Sequence, residues 1–378
     1  MGIKNVCNSK MNTLSKIKLI NIMKRFTSIS VTLVLALFVA SLTLSGAPKT
    51  KKQLGIATYS VKGLESDIEG SFKALADDGY VVMEISNYNA GKGTVAGYTP
   101  ADYAALAEKY GLDIISSHAR AKFDVKDVEG TLTAWGKVFD DHKIMGCKYV
   151  VFPMNFWSTS VEGLKAECDL LNKIGEEANK RGIKFGYHNH NFEFATIPNT
   201  NQLYEDFLIA NTDPDKVFFQ MDVYWITVGG QDPVAYMKKY PDRFKVLHIK
   251  DDYVIGESGT INYKAIFKQF YKNGNKDWFV EMEAKMTEEQ KKQSLAMMEQ
   301  MKQRMSQGGQ IQVPQGPQQP PQGQKPPQTG QKPPQGGAPA GMPGQGQQTP
   351  EVVAEQLKTS LEGIRLSAVY LTNSKFVK

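Results

Sequence analysis

Nine consecutive positions, Gly186-Tyr187-His188-Asn189-His190-Asn191-Phe192-Glu193-Phe194, carry two histidines, two asparagines and a glutamate. The run Ile183-Lys184-Phe185 before them reads as a strand, in which alternate side chains share a face. His188 and His190 then point the same way, and Gly186 leaves space beneath them. Similar groups close other apolar runs: His118 closes one, and His248 another, with Lys250 two residues beyond it on the same face. The acids Glu84, Asp222, Glu281 and Glu283 stand at strand ends too. Only His142, of five histidines, falls within a helical stretch, where solvation is the expected fate. Imidazole and carboxylate together suit Mn, Co, Zn or Fe, and Mg where oxygen ligands dominate. The set expected to hold such a divalent metal is His188, Asp222, His248 and Glu281, with positions left open for substrate oxygens.

Around that set, His190, Glu283 or Glu193 could serve as a base and His118 as a proton donor. Lys250 could bind an oxyanion or polarise a carbonyl; the plain alternative for Lys250-Asp251 is a loop-capping ion pair. Tyr187, Tyr224, Trp225, Phe156 and Trp157 offer flat walls of the kind that stack on sugar rings. Glu84 and Asn155 complete the expected substrate contacts.

Eight strand-like runs must position these groups. They are 54–59, 81–85, 112–117, 149–154, 183–188, 217–223, 244–249 and 278–282, each followed by a helical pattern. Glycines stop several helices, and Asp, Ser or Thr precede them as caps. Such alternation gives parallel strands with crossover helices, and eight units in one domain indicate a closed (β/α)8 TIM barrel of class α/β. A doubly wound sheet is the alternative, but Thr58-Tyr59-Ser60 stands where a Gly-rich phosphate loop would follow the first strand.

The expected organisation is a signal peptide over 1–47, barrel strands within 48–283, an insertion over 284–349 and a final barrel helix within 350–378. The insertion opens with a Met- and Lys-rich helix, Thr287–Ser306. A Gln/Pro/Gly tract follows, whose composition cannot bury enough apolar surface to order itself. The methionines at 286, 297, 298, 301 and 305 could make that helix sticky for a partner, but packing on the barrel is favoured.

The net charge of +6 is concentrated at one end. Residues 1–47 hold six Lys/Arg and no acid, which leaves the remainder near zero and argues against a nucleic-acid partner. Lys24-Arg25, the apolar run from Val31 to Ala40 and Ser45-Gly46-Ala47 have the layout of a secretory signal, with a functional start at Met23. An uncleaved anchor is less favoured because the apolar core is short for a bilayer. The expected destination is the periplasm, with no stable membrane span after cleavage. Of three cysteines, Cys147 and Cys168 would remain, enough for one disulfide but no framework.

Four motifs resemble those of the sugar phosphate isomerase/epimerase proteins in the xylose isomerase-like TIM barrel superfamily. They are 186–194, Met221-Asp222-Val223-Tyr224-Trp225 with Gly229-Gly230-Gln231-Asp232-Pro233, Val246-Leu247-His248-Ile249-Lys250-Asp251, and Val280-Glu281-Met282-Glu283. The resemblance spans about 54–283 and 350–372. It implies a divalent metal held on strands five to eight and a keto-sugar substrate. Members that epimerise use paired glutamates, whereas His188 stands where they place the strand-five glutamate. That substitution tilts the reading towards elimination, as in the inosose dehydratases and the exported 3-keto-glycoside 1,2-lyases.

The expected activity is therefore proton abstraction alpha to a carbonyl in a small carbohydrate, as isomerase, epimerase or lyase. The alternative is an exported sugar-binding or scaffold protein without catalysis. An apurinic endonuclease on the same barrel would need three metals and a basic groove, against a neutral mature chain. The sequence leaves room for a homo-oligomer.

Overall fold

The computed structural model describes residues 52–307 and 349–378. The expected signal peptide, including Met23, and nearly all of the Gln/Pro/Gly tract lie outside the described residues. Among those described, no helix is long and apolar enough to cross a membrane.

Eight parallel strands close a barrel: β1 (Leu54–Ala57), β2 (Tyr80–Ile85), β5 (Asp113–His118), β6 (Tyr149–Phe152), β7 (Lys184–His188), β8 (Val217–Asp222), β9 (Phe244–Ile249) and β10 (Asp277–Val280). Each pairs with its neighbours in chain order, and β1 pairs with both β2 and β10 to complete the ring. A short hairpin, β3 (Tyr88–Asn89) with β4 (Thr94–Val95), interrupts the second crossover and had no signal in the apolar periodicity.

The crossover helices follow in order: α1 (Ile68–Asp77), α2 (Pro100–Lys109), α3 (Val128–Ile144), α4 (Val161–Asn179) and α5 (Tyr204–Asn211). Then come α6 (Val223–Val228), α7 (Pro233–Lys239), α8 (Tyr263–Lys272), α9 (Glu288–Ser306) and α10 (Pro350–Asn373). The caps are those expected, with Asp67, Thr99, Asp127 and Ser160 accepting from backbone N–H groups of the first turns. Gly146 and Gly182 follow α3 and α4 at φ of 81° and 77°, a left-handed conformation that stops a helix at little cost in glycine.

Two cores result. The larger lies between strands and helices. The smaller plugs the barrel interior with Ala57, Val82, Ile115, Val151, Phe218, Val246 and Phe279. A Cβ on Gly186 would meet the Phe218 ring at 2.6 Å, so the space beneath the histidines is occupied by that ring. Polar strand ends are stacked on this plug.

Two expectations change, and the favoured packing of the methionine helix is found. His142 is buried rather than solvated, with Nδ1 2.6 Å from the Val138 carbonyl and Nε2 2.8 Å from Ser117 Oγ. Cys147 and Cys168 are buried free thiols, with no disulfide between them. The methionine helix α9 packs on the barrel, Met298 and Met305 being buried and Met301 partly so, while Met297 stays exposed.

Candidate active site

Strand register brings the polar ends together. His188 on β7 lies beside Gln220 on β8, Asp222 beside His248 on β9, and Glu84 on β2 beside Ser116 on β5. His188, Asp222, His248 and Glu281 each offer one ligand atom, and these atoms lie within 4.8 Å of one another. All four residues are buried. His118, His188 and His248 form a second such group.

Hydrogen bonds decide which atom of each residue is free. Gln220 Nε2 donates to Glu84 Oε2 at 2.8 Å, which turns Gln220 Oε1 towards two imidazoles. It lies 3.0 Å from His188 Nδ1 and 2.7 Å from His118 Nε2, so both rings donate to it. The lone pair of His188 is thereby on Nε2. His248 gives its Nε2 proton to Glu84 Oε1 at 2.6 Å. Its Nδ1 is 2.9 Å from Glu281 Oε2, yet no hydrogen-bond geometry joins them. Asp222 Oδ1 accepts from the backbone N–H groups of Tyr224 and Trp225, both at 2.9 Å, while Oδ2 is buried without a partner. A buried orphan costs about 1–3 kcal/mol.

The Asp222 Oδ2 orphan and the Glu281-facing Nδ1 of His248 point into one cluster, with the outer atoms of each residue already held by hydrogen bonds, an arrangement that can hold a metal ion. The donor set of two imidazoles and two carboxylates fits a divalent ion. Gln220 and Glu84 act behind it as orienting groups.

The charges are consistent with this. Burial opposes ionisation of Glu84, but His118 and His248 hold it down to about 2. Burial likewise disfavours a charged His248, yet Glu84 and Glu281 raise it to about 10, so a metal on Nδ1 must release a proton. Burial raises Asp222 to about 7, against the pull of Lys250. Burial lowers His188 well below its ordinary value and His190 to about 3, which leaves both imidazoles neutral at neutral pH.

Above the cluster opens a cavity of about 480 Å³. Its lining includes Tyr59, His118, Arg120, His188, His190, Tyr224, Trp225, Glu281 and Glu283. His190 stands 5.0 Å from His188, ring to ring, and its Nδ1 is buried without a partner. Glu283 accepts from Tyr59 Oη at 2.9 Å and from Lys250 Nζ at 2.6 Å. Lys250 also donates to Glu281 Oε1 at 2.8 Å, so it pairs with the strand-ten acids and not with Asp251. Burial works against its charge, but Glu281 and Glu283 raise its pKa well above the ordinary value. Lys250 lies behind these carboxylates, outside the cavity lining, which is a holding position rather than one facing substrate.

The expected aromatic wall is largely elsewhere. Tyr187 is one residue from His188 and so points to the other face of β7. It is buried with Trp157, whose Nε1 donates to Tyr187 Oη at 3.2 Å; the Asn155 backbone N–H donates to the same oxygen at 3.1 Å. Tyr187 Oη in turn donates to Glu193, whose other oxygen accepts from the His190 backbone N–H at 2.8 Å. Tyr187, Asn155, Trp157 and Glu193 thus brace the loop that carries His190, and none lines the cavity. Glu84 is likewise beneath the cluster and fully buried. Of the expected substrate contacts, Tyr224 and Trp225 are in the lining.

Several residues escaped the sequence reading. Gln220 carried a readable signal, since it shares a strand face with Asp222. Tyr59 sits in a 3-10 turn (Thr58–Ser60) after β1, and Ser86, Tyr88 and Arg120 sit in loops or the hairpin, where spacing says little. Met286 and, from α9, Lys291, Ser294, Leu295 and Met298 also line the cavity.

The model of the xylose isomerase-like TIM barrel family matches residues 72–301. A solved structure of a sugar phosphate isomerase/epimerase from Parabacteroides distasonis is similar at a TM-score of 0.64 and 28% identity, covering 88% of this chain and 98% of that one. A second from the same organism gives 0.63 at 30% identity, covering 86% and 100%. A curated inosose dehydratase of Clostridium beijerinckii is 26% identical over 142 residues, 32% of this chain. The match spans 46% of that relative's length, under half of it.

Proposed function

The chain belongs to the xylose isomerase-like TIM barrel family, and from that premise we propose that it is a divalent-metal-dependent enzyme acting on keto-sugars. In this reading it removes a proton alpha to the ketone and then eliminates a substituent, as a 3-keto-glycoside 1,2-lyase does. The carrying observation is the convergence of His188, Asp222, His248 and Glu281, with Asp222 Oδ2 buried without a hydrogen-bond partner and His248 Nδ1 2.9 Å from Glu281 Oε2. A bound divalent ion would supply electrophilic stabilisation of the ketone oxygen and of the negative charge that develops there. Mn, Co, Zn and Mg remain the candidates.

His190 is the base this geometry favours. It is neutral, lines the cavity and has an unpartnered Nδ1 to receive the proton. Glu283 is a weaker base, because Lys250 and Tyr59 occupy its oxygens and, against the effect of burial, Lys250 holds its pKa low. As the C2–H bond breaks, its electron pair forms the C1–C2 double bond and expels the C1 oxygen. Tyr59 lines the same cavity and keeps its phenolic proton, since burial and Glu283 raise its pKa; in this reading it turns that proton from Glu283 to the departing oxygen. A single base with a separate acid suits elimination better than the two-carboxylate shuttle of an epimerase. We also infer export from the pattern of residues 24–47.

The test is incubation with a 3-keto-glucoside and with free keto-hexoses, before and after chelation and with Mn or Co restored. Aglycone release that needs metal supports the lyase. Inversion at one carbon shifts the assignment to an epimerase. Carbohydrate binding without turnover or metal dependence would instead support the scaffold reading.

A further inference from the structure

The cavity has two chemically different ends. Its floor is the histidine and carboxylate cluster. Its outer wall is supplied by α9, from the insertion that follows β10. Leu295 and Met298 of that helix, together with Met286, complete a lining that also contains Pro153, Met154 and Trp225. Leu295, Met298 and Met305 recur at spacings of three and seven residues, which places them on one stripe of the helix.

That stripe is fixed over the barrel mouth at both ends. Lys302 Nζ donates to the Gly229 carbonyl at 2.9 Å, and Met305 is 2% exposed. Near the other end, Lys291 forms an ion pair with Asp252. Trp225 borders the floor in the same lining, with its ring centre 6.1 Å from that of His190 and 5.2 Å from Lys250 Nζ.

We propose that α9 forms an apolar subsite for a substituent carried by the sugar, and that the substituent is aromatic or aliphatic rather than a second sugar. This deepens the keto-sugar reading above and rests on it for the identity of the group bound at the floor. A sugar ring against this wall would have to desolvate its hydroxyls facing Leu295, Met298 and Met154, at a cost that an apolar group does not incur. The polar groups on the α9 wall are Ser294 and Lys291, and the Lys291 ammonium is already held by Asp252. Burying a flat apolar group between this wall and Trp225 gains affinity in proportion to the area removed from water.

The experiment measures dissociation constants calorimetrically for phenyl glucoside, methyl glucoside and cellobiose, none of which has the ketone needed for turnover. The full-length chain is compared with Leu295→Asn, Met298→Asn and Leu366→Asn; Leu366 is exposed on α10 and outside the cavity lining. The expected result is that phenyl glucoside binds about tenfold more tightly than methyl glucoside, and cellobiose no more tightly than methyl glucoside. In either α9 variant the phenyl preference falls to about twofold or less, while Leu366→Asn keeps it. A phenyl preference that survives both α9 variants overturns the proposal. So does cellobiose matching phenyl glucoside, a ratio near one in the unmodified chain, or no binding of phenyl glucoside. If the preference behaves as expected but no 3-keto-glucoside is turned over, the enzymatic reading fails and the apolar subsite stands.

Discussion

The floor and the α9 wall of the cavity enclose the same space by opposite means. On the floor, polar groups hold one another: Glu84 and His248 pair, Lys250 holds Glu281 and Glu283, and Gln220 holds two imidazoles. These residues come from strands whose backbones are paired on both sides, so removing one leaves buried charge uncompensated. The wall is a single helix held by a methionine stripe, one ion pair and one lysine-to-carbonyl bond. In the proposed reading, chemistry that tolerates no displacement sits on the first, and selection of what reaches it on the second.

Lys250→Met should be the most damaging change. It removes from buried Glu281 and half-buried Glu283 the ammonium they share, a loss of about 3–5 kcal/mol in the chelated protein by denaturant unfolding. A cost under about 1 kcal/mol would mean that the floor is no more interdependent than the wall.

Next is a pH effect centred on Glu193, which burial raises to about 7 while Tyr187 and the His190 N–H pull the other way. The folded protein keeps a proton that the unfolded chain releases, so this group's contribution falls as pH rises from about 4.5 to 7. Glu193→Gln does not titrate. Its stability relative to the unmodified chain should rise between pH 5 and pH 8 by on the order of 3 kcal/mol. Thermal unfolding at both values reads this, and a pH-independent difference would remove Glu193 from the buried brace of the His190 loop.

Gly186→Ala presses a methyl group onto the Phe218 ring and should cost about 1–3 kcal/mol. Pairing it with Phe218→Leu should recover part of that loss in thermal unfolding. On the wall, Lys302→Met removes the bond to the Gly229 carbonyl and should cost no more than about 1 kcal/mol. A larger loss there would show α9 to be integral to the barrel.

The same contrast governs what the sequence revealed. Eight strands were legible because apolar runs alternated with capped helices, and the cluster because histidines and acids closed those runs. Strand parity would also have given Gln220, and it would have excluded Tyr187, which is one residue out of phase with His188. Trp157 and Asn155 could not be placed, since a loop has no period from which to read direction. The helix 287–306 was visible as a helix, but its seat over the cavity depends on contacts with Gly229, Asp252 and Tyr204 that are remote in sequence. Arg120 entered the site by loop geometry, and Tyr59 by a 3-10 turn where the sequence pattern had continued the first strand.

The central claim is that the floor is a divalent-metal site. Elemental analysis by inductively coupled plasma mass spectrometry, after loading with Mn, Co or Zn and exhaustive desalting, tests it most directly. The account predicts about one ion per chain in the unmodified protein and loss of that ion in both His188→Ala and Asp222→Ala. An unmodified protein that retains no divalent ion, or variants that retain it in full, would contradict it.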